Sequence, residues 1–207
     1  MGQCKADLPF GSQTLLERTV EILSPLVDVC VLVAGREQQM SDLLTAQEAV
    51  IVVRDEQDFE GPLFGLANGL KVLPSTVTEF FLGACDSPFL SPQLLKFLFE
   101  QLRSQEMQAV VPEAEGFPHP LCAVYQRDVN TEVDRLVDAG ERKFRRLLER
   151  LSLQKVGEEE LKQIDPQLDS LCNLNSPADY FKALERAGLE CPSELWQQML
   201  VSEKQSS

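Results

Sequence analysis

Short, almost continuous apolar runs separated by stretches of helical spacing constrain this chain more than any other feature. VDVCVLVA (27–34), AVIVV (49–53) and EFFLGAC (79–85) are apolar at odd and even positions alike. A strand of that kind is buried on both faces, as in a parallel sheet covered by helices. Between the runs lie a polar stretch at 36–47, read as a helix, and LFGLANGLKVL at 63–73. The alternation indicates βαβ units. Upstream, Leu15, Leu16, Val20 and Leu23 fall on one face of a helix over 14–24, and Thr14 with Glu17 forms a capping-box pattern. Ser91 and Pro92 open an amphipathic helix over 92–103. Further on, strands at 109–113 and 121–125 flank the loop AEGFPHP. Helices at 130–138 and 142–151, a strand at 153–156 and a helix from Pro177 to Ala187 follow. The expected fold is α/β and three-layered: a mostly parallel, Rossmann-like sheet with helices on both faces. No repeat or linker divides it, so residues 1–190 are read as one domain and 191–207 as a tail. Such a sheet normally opens with a strand. This chain opens with a loop and a helix, so its first strand is expected to be missing.

The charge balance narrows the function. With 33 acidic against 19 basic residues the net charge is −14, which opposes non-specific nucleic-acid binding. A phosphorylated small molecule is still admissible, provided a few cations, backbone amides or a metal ion supply a local positive field. No apolar run reaches the roughly 20 residues of a membrane span, and MGQCKADLPFG has no signal-peptide core. The six cysteines form no CxxC pair, and Cys30, Cys85 and Cys122 sit in apolar runs. They read as buried free thiols in a reducing compartment, which points to the cytoplasm.

In open parallel sheets, ligands bind beyond the carboxyl ends of the strands. Asp55 follows AVIVV there, and Asp86 ends EFFLGAC in GACDSPFL. Either carboxylate could hold magnesium, which takes one or two protein carboxylates when bound to phosphates; either could equally cap a helix. Gly61, Pro62, Leu63 and Gly65 form a strand-to-helix turn whose amides could meet an anion. RKFRRLLER (142–150) gathers five cations, as a phosphate landing site or a solvated face. His119, the single histidine, has no Ser or Cys arrangement around it that spacing reveals.

In order, the segments MGQCKADLPFGSQTLLE, RDEQDFEGPLFGL, GACDSPFL, FPHPLCAVY, AGERK and NLNSPADY resemble the motifs of the molybdenum cofactor guanylyltransferases, the MobA-like nucleotidyltransferases. The resemblance implies the nucleotide-diphospho-sugar transferase type of fold. It also implies transfer of GMP from GTP to the terminal phosphate of a molybdopterin-type cofactor, with release of pyrophosphate. By that resemblance Lys5 contacts the triphosphate, Asp55 belongs to the nucleotide pocket and Asp86 holds Mg2+. Lys5 and Asp86 are then the catalytic pair, and Gly61, Pro62, Leu63 and Gly65 the nucleotide-side loop. Gly140, Glu141 and Arg142 match a GER segment, and Asn173 with Asn175 an NxN segment. Arg142, Asn173 and Asn175 are assigned to the acceptor side. Molybdoenzymes or other cofactor-biosynthesis proteins are the implied partners, with no nucleic acid and no membrane.

Three departures stand out. The family's LAGGxSxRMG loop is absent except for Met1-Gly2. Cys4 replaces the aspartate before the lysine, and Ser176 the threonine of NxNTP. The alternatives are a relative using CTP or a sugar or polyol phosphate, and a non-catalytic nucleotide-binding protein that has lost its phosphate loop. Asp86-Ser87-Pro88 in place of Asp-x-Asp counts against a glycosyltransferase.

Overall fold

The computed structural model describes residues 4–55 and 61–190. The tail read at 191–207 and the Met1-Gly2 remnant lie outside the described residues. The chain enters through a short turn, Lys5–Asp7, and a two-residue hairpin of β1 (Pro9–Phe10) and β2 (Gln13–Thr14) that reverses at Gly11, φ +72°. The capping box forms as read: the Thr14 hydroxyl accepts from Glu17 N at 3.2 Å and the Glu17 carboxylate accepts from Thr14 N at 2.8 Å. It starts α1 (Leu15–Leu23), which buries Leu15 and Val20.

β3 (Cys30–Ala34) and β4 (Val50–Arg54) pair in parallel, from Cys30 opposite Val50 to Ala34 opposite Arg54. The helix expected over 36–47 shrinks to one turn, α2 (Asp42–Thr45). The cause is non-local: the Arg54 guanidinium donates to the carbonyls of Gly35, Arg36 and Gln38 at 3.2, 3.3 and 2.7 Å. Those carbonyls are thereby held in a loop rather than in helical bonds. α3 (Pro62–Val72) begins at Gly61, whose φ of +90° is open to glycine at little cost.

A five-stranded sheet follows, built from β5 (Glu79–Gly83), β6 (Ala109–Ala114), β7 (Phe117–Pro118), β8 (Cys122–Gln126) and β9 (Leu153–Val156). Its order is β5-β8-β6, with β9 parallel to β6 and β7 folded back on the end of β6. β8 runs antiparallel to both β5 and β6. Parallel pairing thus holds in β3–β4 and β6–β9, where helices make the crossovers. The AEGFPHP connection instead returns the chain as a hairpin.

Helices cover both faces. Ala109 and Val111 of β6 pack with α3, α5 (Asn130–Asp138) and α6 (Phe144–Leu148). Val110, between them, packs with α4 (Pro92–Ser104) and α7 (Glu158–Ile164) on the other face. That is the period-two signature of a sheet buried on both sides. Each fully buried leucine, such as Leu63, Leu98 or Leu147, contributes about 1.5–3 kcal/mol of transfer free energy. A third cluster joins Leu8, Phe10 and Leu15 to Leu174 and to Tyr180 and Leu184 of α8 (Pro177–Arg186). It clamps the beginning of the chain onto its last described helix.

One feature follows from strand pairing. Among the described residues β3 bonds only to β4, and β5 only to β8. Their free edges line one cavity of about 910 Å3, walled by Leu16 and Val20 of α1 and Leu66 and Leu70 of α3. The middles of both strands are half-buried, and Val33 is 37% exposed.

Candidate active site

Asp86 lies three residues beyond β5 and Asp55 one beyond β4, so both stand at carboxyl ends of strands. The Asp86 turn is braced by its neighbours. Ala84 N donates to Leu121 O at 3.1 Å, Leu174 N to Asp86 O at 3.0 Å, and Arg18 Nε to Pro88 O at 2.6 Å. Lys5 reaches this turn because the clamp of Leu8 and Phe10 on α8 fixes the segment that carries it. Its ammonium donates to Asp86 Oδ2 at 2.7 Å and to Asn175 Oδ1 at 3.1 Å. The Asp86 side chain is 12% exposed and that of Lys5 34%. The second carboxylate oxygen, Asp86 Oδ1, is buried and has no hydrogen-bond partner among the described residues. A buried carboxylate oxygen left bare is costly unless something positive meets it. It therefore suits a hard cation that prefers oxygen ligands.

The Ser87 hydroxyl donates to Asn173 Oδ1 at 2.7 Å. Asn173 and Asn175, expected on the acceptor side, are thus bonded to the Asp86–Ser87 turn and to Lys5. Buried Leu174 between them anchors the strip in the α8 cluster. The next residue, Ser176, caps α8 in a capping box with Asp179. Bonding to Ser176 and to nearby amides holds the Asp179 carboxyl below its ordinary 3.8.

Asp55 is tied on both sides: its N–H donates to Ala34 O at 2.9 Å, and Asn68 of α3 donates to its Oδ1 at 2.9 Å. Asp55, Gly61, Pro62 and Gly65 line the same cavity as Lys5. Leu63 does not: its side chain is fully buried in the α3 core, so only its backbone is available to a ligand. The Arg142 carbonyl lies 3.8 Å from where a Cβ on Gly61 would stand, so the GER segment borders the Gly61 turn. Arg142 and Lys143 are exposed, with no side-chain ion pair among the described residues. The five-cation cluster is partly neutralised, with Arg145 on Glu149 at 3.0 Å and Arg146 on Glu149 at 2.8 Å and Glu141 at 3.7 Å.

Spacing did not reveal Ser87, Asn68 or Arg18 as parts of the site. Their partners lie 86, 13 and 70 residues away, and no local pattern announces such bonds. Cys85, beside Asp86, is no nucleophile: burial and then the Asp86 charge push its thiol up to about 12. His119 donates its backbone N–H to Pro112 O at 2.8 Å in the β6–β7 turn region. Burial lowers its pKa, so its ring stands there as a largely neutral group.

Strand-end carboxylates, a lysine bridged to one of them, and a glycine turn opening a helix over the same cavity define a nucleotide-binding α/β domain of the nucleotidyltransferase class. Residues 1–156 match the family described as the MobA-like NTP transferase domain, and the chain belongs to that family. It is 30% identical over 190 residues to a probable molybdenum cofactor guanylyltransferase of Mycobacterium avium (strain 104), covering 90% of this chain and 89% of that one. The structure of molybdopterin-guanine dinucleotide biosynthesis protein A from Archaeoglobus fulgidus superposes with a TM-score of 0.76 at 28% identity, over 90% and 92% of the two chains. The 2-C-methyl-D-erythritol 4-phosphate cytidylyltransferase of Thermus thermophilus shares the fold alone, at TM-score 0.68 and 15% identity, over 89% and 94%.

Proposed function

We propose that this protein is a molybdenum cofactor guanylyltransferase. It transfers GMP from GTP to the terminal phosphate of a molybdopterin-type cofactor and releases pyrophosphate. The observation that carries the reading is the Lys5–Asp86 pair: Asp86 Oδ1 is buried and without a partner among the described residues, and Lys5 lines a cavity also lined by Asp55 and Gly61. An acceptor phosphate oxygen bonds to the α-phosphorus as the bond to the β-phosphate breaks. The acceptor is its own nucleophile, so no side-chain nucleophile or base is needed. Asp86 would hold a divalent cation, magnesium in this reading, which when bound neutralises phosphate oxygens. The chain's residues do the rest by placement and charge. Lys5 uses two of its three N–H donors among the described residues, which leaves a third for a triphosphate oxygen. The amides at the start of α3 face the nucleotide side. Arg142, without an ion pair among the described residues, offers a guanidinium to the polyanionic acceptor. Residues 1–190 act as one domain, and the free thiols among the described residues accord with the cytoplasm.

The test is pyrophosphate release from GTP with magnesium, with and without molybdopterin. Release that requires the acceptor and prefers GTP over CTP supports the reading. Preference for CTP or a sugar phosphate assigns the chain to a relative. Nucleotide binding with no transfer marks a non-catalytic binding protein.

A further inference from the structure

Asn175 sits where it can decide how Lys5 and a cation share one carboxylate. A lysine ammonium has three N–H donors and swings on a flexible stem. Alone beside Asp86 it would be free to approach either carboxylate oxygen, or to straddle both. Here it engages only Oδ2, with a second donor held on Asn175 Oδ1 at 3.1 Å, while Oδ1 of Asp86 is buried and without a partner among the described residues. Asn175 is itself held. Asn173 grips the Ser87 hydroxyl at 2.7 Å, Leu174 N bonds to Asp86 O at 3.0 Å, and Asn175 N donates to the Asp179 carboxylate at 3.1 Å. The strip 173–175 is therefore sewn to both ends of the Lys5–Asp86 pair.

We infer that Asn175 is a positioning residue that confines the Lys5 ammonium to Asp86 Oδ2 and so keeps Oδ1 clear for a divalent cation. The inference rests on the metal role given to Asp86 above. It assigns to Asn175 a function at the cation, distinct from the acceptor contact that family resemblance implies.

The experiment uses the full chain and Mn2+ alone as the probe, with no nucleotide. Binding is read by paramagnetic broadening of the Ser87 and Leu174 amides. Wild type should show saturable broadening. Asn175→Ala should weaken apparent Mn2+ affinity by about tenfold, the scale of one charge-assisted hydrogen bond redirected onto the carboxylate. The double variant Lys5→Ala/Asn175→Ala should recover it, because the competing ammonium is gone. Asn175→Asp, which keeps an acceptor for Lys5, should bind Mn2+ at least as well as wild type. A merely structural role would lower affinity in Asn175→Ala and leave it low in the double variant, and that result overturns the inference. So does unchanged affinity in Asn175→Ala, or no broadening in wild type. If the predicted pattern appears in a chain that transfers no GMP, the enzyme reading falls and the role of Asn175 stands.

Discussion

Asp86→Asn separates metal binding from folding at one position. Asparagine has nearly the volume of aspartate but one oxygen instead of two. Lys5 can only donate, so the amide must turn its oxygen to the ammonium, the place Oδ2 holds at 2.7 Å. Its NH2 then points where Oδ1 stood, buried and without a partner among the described residues. A cation would meet two hydrogen-bond donors where it had met a lone pair. The folding cost is small. The lost charge weakens a bond to a lysine that is 34% exposed, and the NH2 is left unpaired, together about 1–3 kcal/mol. For a chain of this size that is a fall in Tm of about 2–12 °C. The chemical cost is larger: losing one preorganised group that stabilises transition-state charge costs about 100–1000-fold in kcat. The assay pairs thermal melting with magnesium-dependent pyrophosphate release at saturating GTP. A folded Asp86→Asn protein turning over within threefold of wild type at low magnesium would falsify the assignment of Asp86 as the metal ligand.

Arg142→Glu should raise KM for the acceptor by about tenfold, a local charge reversal beside a polyanion, and leave GTP affinity within twofold by calorimetry. Arg145→Ala, which only loses its exposed pair with Glu149, should leave both constants unchanged in the same assay. Gly61→Ala should cost about 1–2 kcal/mol by urea unfolding, because φ is +90° there, while among the described residues the added Cβ meets only the Arg142 carbonyl at 3.8 Å. Ser176→Ala should cost about 1 kcal/mol through loss of the α8 cap. It should also flatten one limb of stability against pH. Asp179 has a lowered folded pKa, so its contribution is present above the ordinary 3.8 and is lost as pH falls through the lowered value. If Ser176→Ala and wild type lose stability in parallel between pH 5 and pH 2 in acid titrations, the cap is not the source.

The fold was legible where the signal was local. The apolar runs yielded β3, β4 and β5, and the Thr14–Glu17 and Ser91–Pro92 patterns marked the starts of α1 and α4 within a residue or so. Elements with weak local signals were not. α7 has only Leu161 and Ile164 as apolar anchors, although Glu158, Glu159 and Glu160 in its first turn suit a helix N-terminus. β1 and β2 are too short to show a period. The stretch 36–41 departs from the helix its sequence suggests because the bonds from Arg54 that hold it open come from the next strand. At the site, Asp55 and Asp86 are placed by strand ends and family resemblance together, and Lys5 by the resemblance alone. The bond from Lys5 to Asn175 spans 170 residues, and side-chain contacts over that distance are fixed by packing, which no spacing encodes.

The two facing strand edges bear on how the molecule breathes. The β3–β4 pair has no backbone hydrogen bond to the five-stranded sheet among the described residues; packing of Val31 and Val33 against Gly65 and Gly69 of α3 holds it there. A lamina without ladder bonds to its neighbour should open as a cooperative unit below the global unfolding free energy. Hydrogen exchange should find the amides of Val31, Leu32, Val52 and Val53 exchanging together and well ahead of those of Val110, Val111 and Val124. Asp55 and the Ala34 carbonyl it bonds belong to the opening unit, whereas Lys5 and Asp86 belong to the other. The proposed nucleotide pocket would then be assembled from a slow-exchanging half and a fast one, and bound GTP should slow exchange most in β3 and β4.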